Sequence, residues 1–191
     1  RSDLRQYGEM KMFVHAESVV GSPAVQDNDL SAVIRIGNDF VGNYYEIRIP
    51  LKVTPFGRYT DAQGDIVWPQ QNELNLSIQR LINLKLARNN SSQTNLYFSE
   101  TDSDGKTYAI FGNPNLGEVR GMFLGIVNNS DAPVCSEVWF NELRLSSLDE
   151  SGGWAATGRV DIKLADLGTV SLSAAARSIG FGNLEQRVNE R

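Results

Sequence analysis

The chain has 191 residues, 41% of them hydrophobic, which is enough to bury one substantial core. Its 18 Lys and Arg against 23 Asp and Glu give a net charge of -5, and no basic cluster is present, so no nucleic-acid partner is expected. The single cysteine, Cys135, excludes an internal disulfide, and no stretch approaches the roughly 20 apolar residues of a transmembrane helix. The opening residues, 1–5, carry neither an initiator Met nor an apolar leader, which predicts an interior piece of a longer protein.

Short alternating or apolar runs between Tyr7 and Leu145 are separated by Gly, Asn, Asp and Pro, a pattern typical of an antiparallel β-sandwich. The first predicted strand is 10–17, and a long-looped hairpin is predicted from 31–37 and 44–53. In the second arm, we expect one face in the core and the other in water. The core face is Tyr45, Ile47, Ile49 and Leu51, and the wet face is Glu46, Arg48 and Lys52, with Pro50 indicating an edge or a bulge.

The hydrophobic period then changes from two to that of a helix. Ile78, Leu81 and Ile82 follow this spacing, and we predict one helix over about 77–88 with Ser77 as its N-cap. Four more strands are predicted at 95–100, 106–111, 117–127 and 134–145. The count reaches about eight, the number in a jelly roll.

The tail differs from the body in its pattern. A linker at 149–153 separates the predicted sandwich, 7–148, from a terminal segment, 154–191, which contains a hairpin turning at 165–168. Each arm alternates, with Val160, Ile162, Leu164, Val170, Leu172 and Ala174 on the apolar side. This is typical of a hairpin of an outer-membrane barrel, and a soluble hairpin that completes the sandwich is the alternative. The fold class is therefore predicted as all-β: an antiparallel jelly-roll-like β-sandwich with one helix, followed by a C-terminal β-hairpin of outer-membrane-barrel type.

No residue combination indicates catalysis. The only histidine, His15, is expected to be a half-buried structural residue, and Cys135 to fill core volume as a small hydrophobe. Glu46, Glu137 and Glu142 lie on predicted strands, where carboxylates usually form the solvated face, and nothing singles out a pair for glycoside chemistry. Gly180 to Gly182 lacks the context of a phosphate loop. We therefore expect no enzyme, no catalytic residue and no cofactor, and no ligand-binding residue is assigned.

Two loops place carboxylates close together and raise the question of calcium. They contain Asp27 with Asp29 and Asp102 with Asp104, but neither has the full pattern of a calcium loop, so we favour ordinary turn chemistry and assign no metal site. Aromatic residues could instead stack on sugar rings if they point outward. The candidates are Tyr44, Tyr59, Trp68 and Trp154.

Several ordered motifs together resemble one known family. They are the runs at 11–17, 35–39, 43–47, 67–69, 72–74 and 138–145, and in the tail those at 153–156, 164–168 and 180–186. In this order they resemble the SprA (Sov) family, the very large outer-membrane translocon proteins of the type IX secretion system that are associated with gliding motility. The run Phe140 to Leu145 alone is also similar to the closing strand of carbohydrate-binding jelly rolls.

The resemblance implies a function in protein export through a large β-barrel in the outer membrane. The sandwich would be an insertion between barrel strands, and the tail would re-enter the barrel wall. The partners implied are other segments of the chain's own barrel and secretion-system or cargo proteins, and the family's motifs transfer no catalytic residue. The alternative from the residues is a carbohydrate-binding jelly-roll module of a secreted glycan-active protein.

Overall fold

The computed structural model describes residues 2–91, 97–149 and 153–178, together with Phe181. The chain forms two compact units, Arg1–Leu148 and Asp149–Arg191. The predicted linker at 149–153 and the motif at 180–186 lie largely outside the described residues, as does the start of the strand predicted at 95–100.

The first unit contains two antiparallel sheets. Its strands are β1 Tyr7–Ser18, β2 Leu30–Gly37, β3 Tyr44–Pro50, β4 Leu74–Ser77, β5 Tyr97–Thr101, β6 Thr107–Phe111, β7 Gly121–Asn128 and β8 Ser136–Leu148. Their order is β4-β1-β8 in the three-stranded sheet and β5-β6-β3-β2-β7 in the five-stranded sheet. An antiparallel, mostly β structure is thereby confirmed, while the jelly-roll topology stays a prediction.

The core lies between the two sheets. Alternate residues of β1 that the sequence assigns to one face, from Met10 to Ala16, are at most 1% exposed, and they share one core with the buried residues of β2 and β3 in the other sheet. The core face predicted for β3 is confirmed, because Tyr45, Ile47 and Ile49 are all almost completely buried. Burial raises the pKa of Tyr45 to about 12. The period of two therefore identifies the core face of the inner strands.

The predicted helix forms as α2, Ile78–Asn90, and a single-turn helix that was not predicted, α1, Gly64–Val67, precedes it. The buried residues of α2 are Ile78, Leu81 and Leu84, which agrees with the helical spacing of the apolar positions. Ser77 occupies the N-cap position, but its side chain makes no capping hydrogen bond. Ser77 therefore lies at the start of α2 but does not stabilise the helix through a capping hydrogen bond.

Three strand predictions need correction. The segment predicted as a strand from Gly117 begins as a 3-10 turn, Leu116–Glu118, because the Asn115 side chain accepts a hydrogen bond from the Gly117 N–H (2.9 Å), and β7 starts only at Gly121. Strand β8 extends beyond its predicted end to Leu148, and β3 ends before its predicted end. Pro50 does not mark an edge strand, since β3 lies between β2 and β6 and the pairing with β6 stops at Arg48.

The second unit is a hairpin. Strands β9, Ala155–Leu164, and β10, Gly168–Arg177, pair antiparallel across a 3-10 turn, Ala165–Leu167, at the predicted position. Every residue of both strands is exposed within this structure. Among the described residues, no helix combines the length and apolar character needed to cross a membrane. A place for the hairpin in a barrel wall is not shown by these observations and stays a prediction.

Candidate functional site

Strand β7 leaves apolar side chains uncovered at one edge of the five-stranded sheet. Among the described residues it pairs only with β2, and the register sets Leu124 opposite Ile34 and Ile126 opposite Ala32. These β2 partners are fully buried, whereas Leu124 is 39% exposed and Ile126 37%. The core-facing side of β7 is thus apolar but lacks the cover that the same side of β2 has.

Strand β8 repeats this arrangement at an edge of the three-stranded sheet. Leu145 lies opposite the buried Met10 but is 37% exposed, and Leu143 is 50% exposed beside a register shift between Lys11 and Phe13. At this register shift, Glu142 has a positive backbone φ of 54°. Val138 and Phe140, nearer the start of the strand, are partly buried against the core. We refer to β7 and β8, with Leu124, Ile126, Leu143 and Leu145, as the open edges.

The hairpin has one apolar and one polar face. The register pairs Val170 with Ile162 and Leu172 with Val160, so these four side chains share a face, and each is at least 43% exposed. On the opposite face, Arg159 Nε donates to Asp161 Oδ2 (2.9 Å). The apolar face is the second surface that has no cover within its unit.

Of the three residues predicted to form the wet face of the second hairpin arm, Arg48 and Lys52 are exposed as expected, but Glu46 is buried, so the prediction is wrong at that position. Glu46 is 2% exposed and accepts from Arg35 Nε at 2.7 Å and from Arg48 Nε at 2.6 Å. The Arg35 guanidinium also lies 4.3 Å from the ring centroid of Tyr44. The carboxylate is paired with arginines of two adjacent strands, and the alternation of polar residues along a single strand does not reveal this pairing.

The aromatic residues of the first unit that were considered for sugar stacking make separate contacts. Tyr44 is buried, with Phe111 stacked beside it at 5.5 Å and the Arg35 guanidinium also over its ring. Trp68 packs against His15, and the Tyr59 hydroxyl donates to the Pro55 carbonyl. Trp154, at 60% exposed, belongs to the other unit.

The residues considered for catalysis are held apart in structural roles. His15 is buried rather than half-buried, and its Nδ1 donates to the Val67 carbonyl oxygen (2.7 Å). Cys135 is exposed, so the prediction that it fills the core is wrong, because it lies in the loop just before the edge strand β8. Glu137 accepts from the indole N–H of Trp139 and Glu142 from Arg144, both on β8, whereas Glu46 lies in the other sheet.

The loops considered for calcium use their carboxylates to hold backbone. Asp102 Oδ1 accepts from the N–H groups of Asp104 (3.1 Å) and Lys106 (2.9 Å), which is the geometry of an Asx turn. Asp27 accepts from Val53 N–H and Asp29 from Gln26 N–H, both at 2.8 Å. Within the described ranges, no group of three or more His, Cys, Asp or Glu residues is placed to hold a metal ion.

Comparison with known proteins adds one result to this geometry. The search of curated proteins gives no match. The family model SprA_N, described as a motility related/secretion protein, matches residues 1–191, which is the whole chain. The chain therefore belongs to the SprA family of motility-related and secretion proteins.

Proposed function

We propose that this chain is a structural and protein-contacting part of a large outer-membrane β-barrel that exports proteins by type IX secretion and serves gliding motility. Its sandwich contacts other segments of the same barrel and secretion-system or cargo proteins, and its hairpin contributes two strands to the barrel wall. It performs no catalysis. Membership of a motility and secretion family supports the proposal, as does the arrangement of its apolar surfaces.

The observation that carries the proposal is the lack of cover over the open edges. Strand β7 contains neither a charged residue nor a proline over Gly121–Asn128, the devices by which proteins usually protect an exposed edge. Each Å² of apolar surface removed from water contributes about 25 cal/mol, so covering half-exposed leucines and isoleucines favours association. The open edges are therefore suited to contact with another polypeptide segment.

The hairpin also supports the proposed contact with other strands of a barrel. A single two-stranded hairpin is marginally stable in water, and its outer backbone groups need neighbouring strands when it leaves water. In β9 and β10, apolar residues occupy one face and the Arg159–Asp161 pair the other. This is the division required of a strand pair with lipid on one side and an aqueous lumen on the other.

Site-specific photo-crosslinking in the full-length parent protein, in cells, tests the contact role. A photoreactive residue in place of Leu124 or Leu145 should give adducts with another barrel segment or a secretion partner. The same residue in place of Asn113, which is exposed outside the open edges, should give none. Absence of adducts at both leucines would refute the proposal.

A secretion assay provides the functional arm. Replacing both Leu124 and Ile126 by Glu places charge on the uncovered side of β7, and we expect export of cargo to fall several-fold, with the barrel still present in the outer membrane. Unchanged export in this double variant, together with normal crosslinking, would show that the contact has no role in secretion.

A further inference from the structure

A polar cleft lies on the first unit, away from the open edges. Its volume is about 700 Å³. This falls within the range of roughly 300–1,000 Å³ that is usual for small-ligand sites. Its lining includes Gln70, Gln71, Glu73, Asn75, Arg80 and Asp104.

The two cationic side chains of the cleft are held in place by contacts with neighbouring residues. The Arg80 guanidinium lies 3.6 Å from the ring centroid of the buried Tyr108 and 3.5 Å from Asp102. Lys106 Nζ donates to the Glu73 carbonyl oxygen (2.9 Å), which links β6 to the segment before β4. A cleft whose cations are already positioned loses less conformational entropy when a ligand binds.

Three amide side chains in the cleft are available to a ligand. Gln70, Gln71 and Asn75 have no side-chain hydrogen-bond partner among the residues that the structure describes. Each amide offers two donor hydrogens and an acceptor oxygen, and the carboxylate of Glu73 adds acceptors. The cleft therefore presents donors and acceptors side by side.

A smaller depression of about 220 Å³ continues the polar surface. It shares Gln71 and Asp104 with the cleft and adds Asp27, Asn28 and Lys52. The shared residues make the two depressions neighbours, so a ligand longer than one ring has further polar groups to contact.

The charge balance restricts the class of ligand. Glu73, Asp102 and Asp104 oppose Arg80 and Lys106 in the cleft, so neither a polyanion nor a cation is strongly favoured. A ligand with many hydroxyl groups, each able to donate and accept, matches the free amides and the carboxylate. We propose that the cleft binds a neutral oligosaccharide through hydrogen bonds. This inference goes beyond the proposed contact role and does not depend on the open edges.

The test is saturation-transfer NMR with the whole chain and a panel of neutral oligosaccharides of glucose, mannose, galactose and N-acetylglucosamine, offered both as free trisaccharides and within polysaccharides. At least one sugar should bind saturably. In the double variant Gln71→Ala, Asn75→Ala, we expect its affinity to fall at least about tenfold, because two ligand hydrogen bonds are lost. Both positions are exposed and make no side-chain hydrogen bond within the described chain, so the fold should persist.

The matched control is Asn113→Ala, an exposed asparagine outside the cleft, which should keep wild-type affinity. Absence of binding by wild-type protein across the panel would overturn the proposal. Binding that survives the double variant would overturn it equally, because the sugar would then occupy another site. Preference for polysaccharide over trisaccharide would identify an envelope polymer, and equal affinity a free sugar, with either result supporting the cleft as the site.

Discussion

Glu46 illustrates how individual residues of this sheet depart from the simple alternation of their strand. Its position on β3 predicts exposure, yet Arg35 on β2 and Arg48 on β3 both donate to its carboxylate and it is buried. The partners are eleven and two residues away in sequence, and only the β2–β3 pairing brings Arg35 alongside. Burial of the carboxylate is therefore a property of the paired strands rather than of β3 alone.

Replacing Glu46 by Gln should destabilise the first unit, because two guanidinium groups lose the charge of the buried carboxylate with which they pair. We expect a loss of about 2–3 kcal/mol, below that for a fully buried pair since both arginines are partly exposed. Urea denaturation provides the measurement. The matched control is Glu9→Gln, which breaks an exposed 3.2 Å pair with Lys11 and should cost less than about 1 kcal/mol. Equal effects for the two variants would contradict this account.

Among the elements, those with a clear hydrophobic period were predictable from sequence. The β2–β3 hairpin, α2 and the β9–β10 hairpin all occur where the pattern places them. The start of β7 was not predictable, because Gly117 and Val119 continue the alternating pattern of the strand. Instead, Leu116–Glu118 form a 3-10 turn in which the Asn115 side chain accepts a hydrogen bond from the Gly117 N–H. The exposure of Leu124 and Ile126 could not be predicted from the sequence either, because it depends on which strand lies at a sheet edge.

The end of β6 depends on close contact with the β2–β3 loop. In that loop, the Asp39 carboxylate accepts hydrogen bonds from the Asn43 side chain and from the backbone N–H groups of Asn43, Gly42 and Val41. Together these hydrogen bonds hold the pKa of Asp39 well below its ordinary value. Gly112 follows β6 with a φ of 64° and approaches the Gly42 carbonyl. The loop therefore leaves no room for a side chain after β6.

Gly112→Ala should consequently be far more damaging than Gly21→Ala. A Cβ at Gly112 would lie 1.9 Å from the Gly42 carbonyl oxygen, whereas a Cβ at Gly21, whose φ is 84°, would meet nothing within 4 Å. Gly21→Ala isolates the backbone cost of about 1–2 kcal/mol, and the overlap at Gly112 should add roughly 1–3 kcal/mol. Thermal unfolding of both variants measures the difference, and similar melting temperatures would disprove the steric explanation.

At the scale of the whole molecule, the two units differ in how they are stabilised. Residues 1–148 enclose a two-sheet core, whereas the hairpin of the second unit exposes every residue of β9 and β10. Such a hairpin has only one pair of strands to resist opening. The difference predicts unequal resistance of the two units to local unfolding.

Hydrogen exchange followed by mass spectrometry should show this difference in the isolated chain. Backbone amides of β2 and β3 should be protected for hours, while those of β9 and β10 exchange within seconds to minutes. If the hairpin forms part of a barrel wall, as proposed, exchange in β9 and β10 should slow strongly in the membrane-embedded protein, because neighbouring strands are then present. Strong protection of the hairpin in the isolated chain would contradict this expectation.

The uncharged strand β7 also has a consequence for biogenesis. Until its edge is occupied, it offers an uninterrupted template on which a second copy can pair, and strand pairing between copies becomes faster as concentration rises. Assembly and aggregation thus compete for the same strand during the interval between synthesis and incorporation. We expect the yield of correctly assembled protein to decline with overproduction, and a chaperone that shields this edge to restore it.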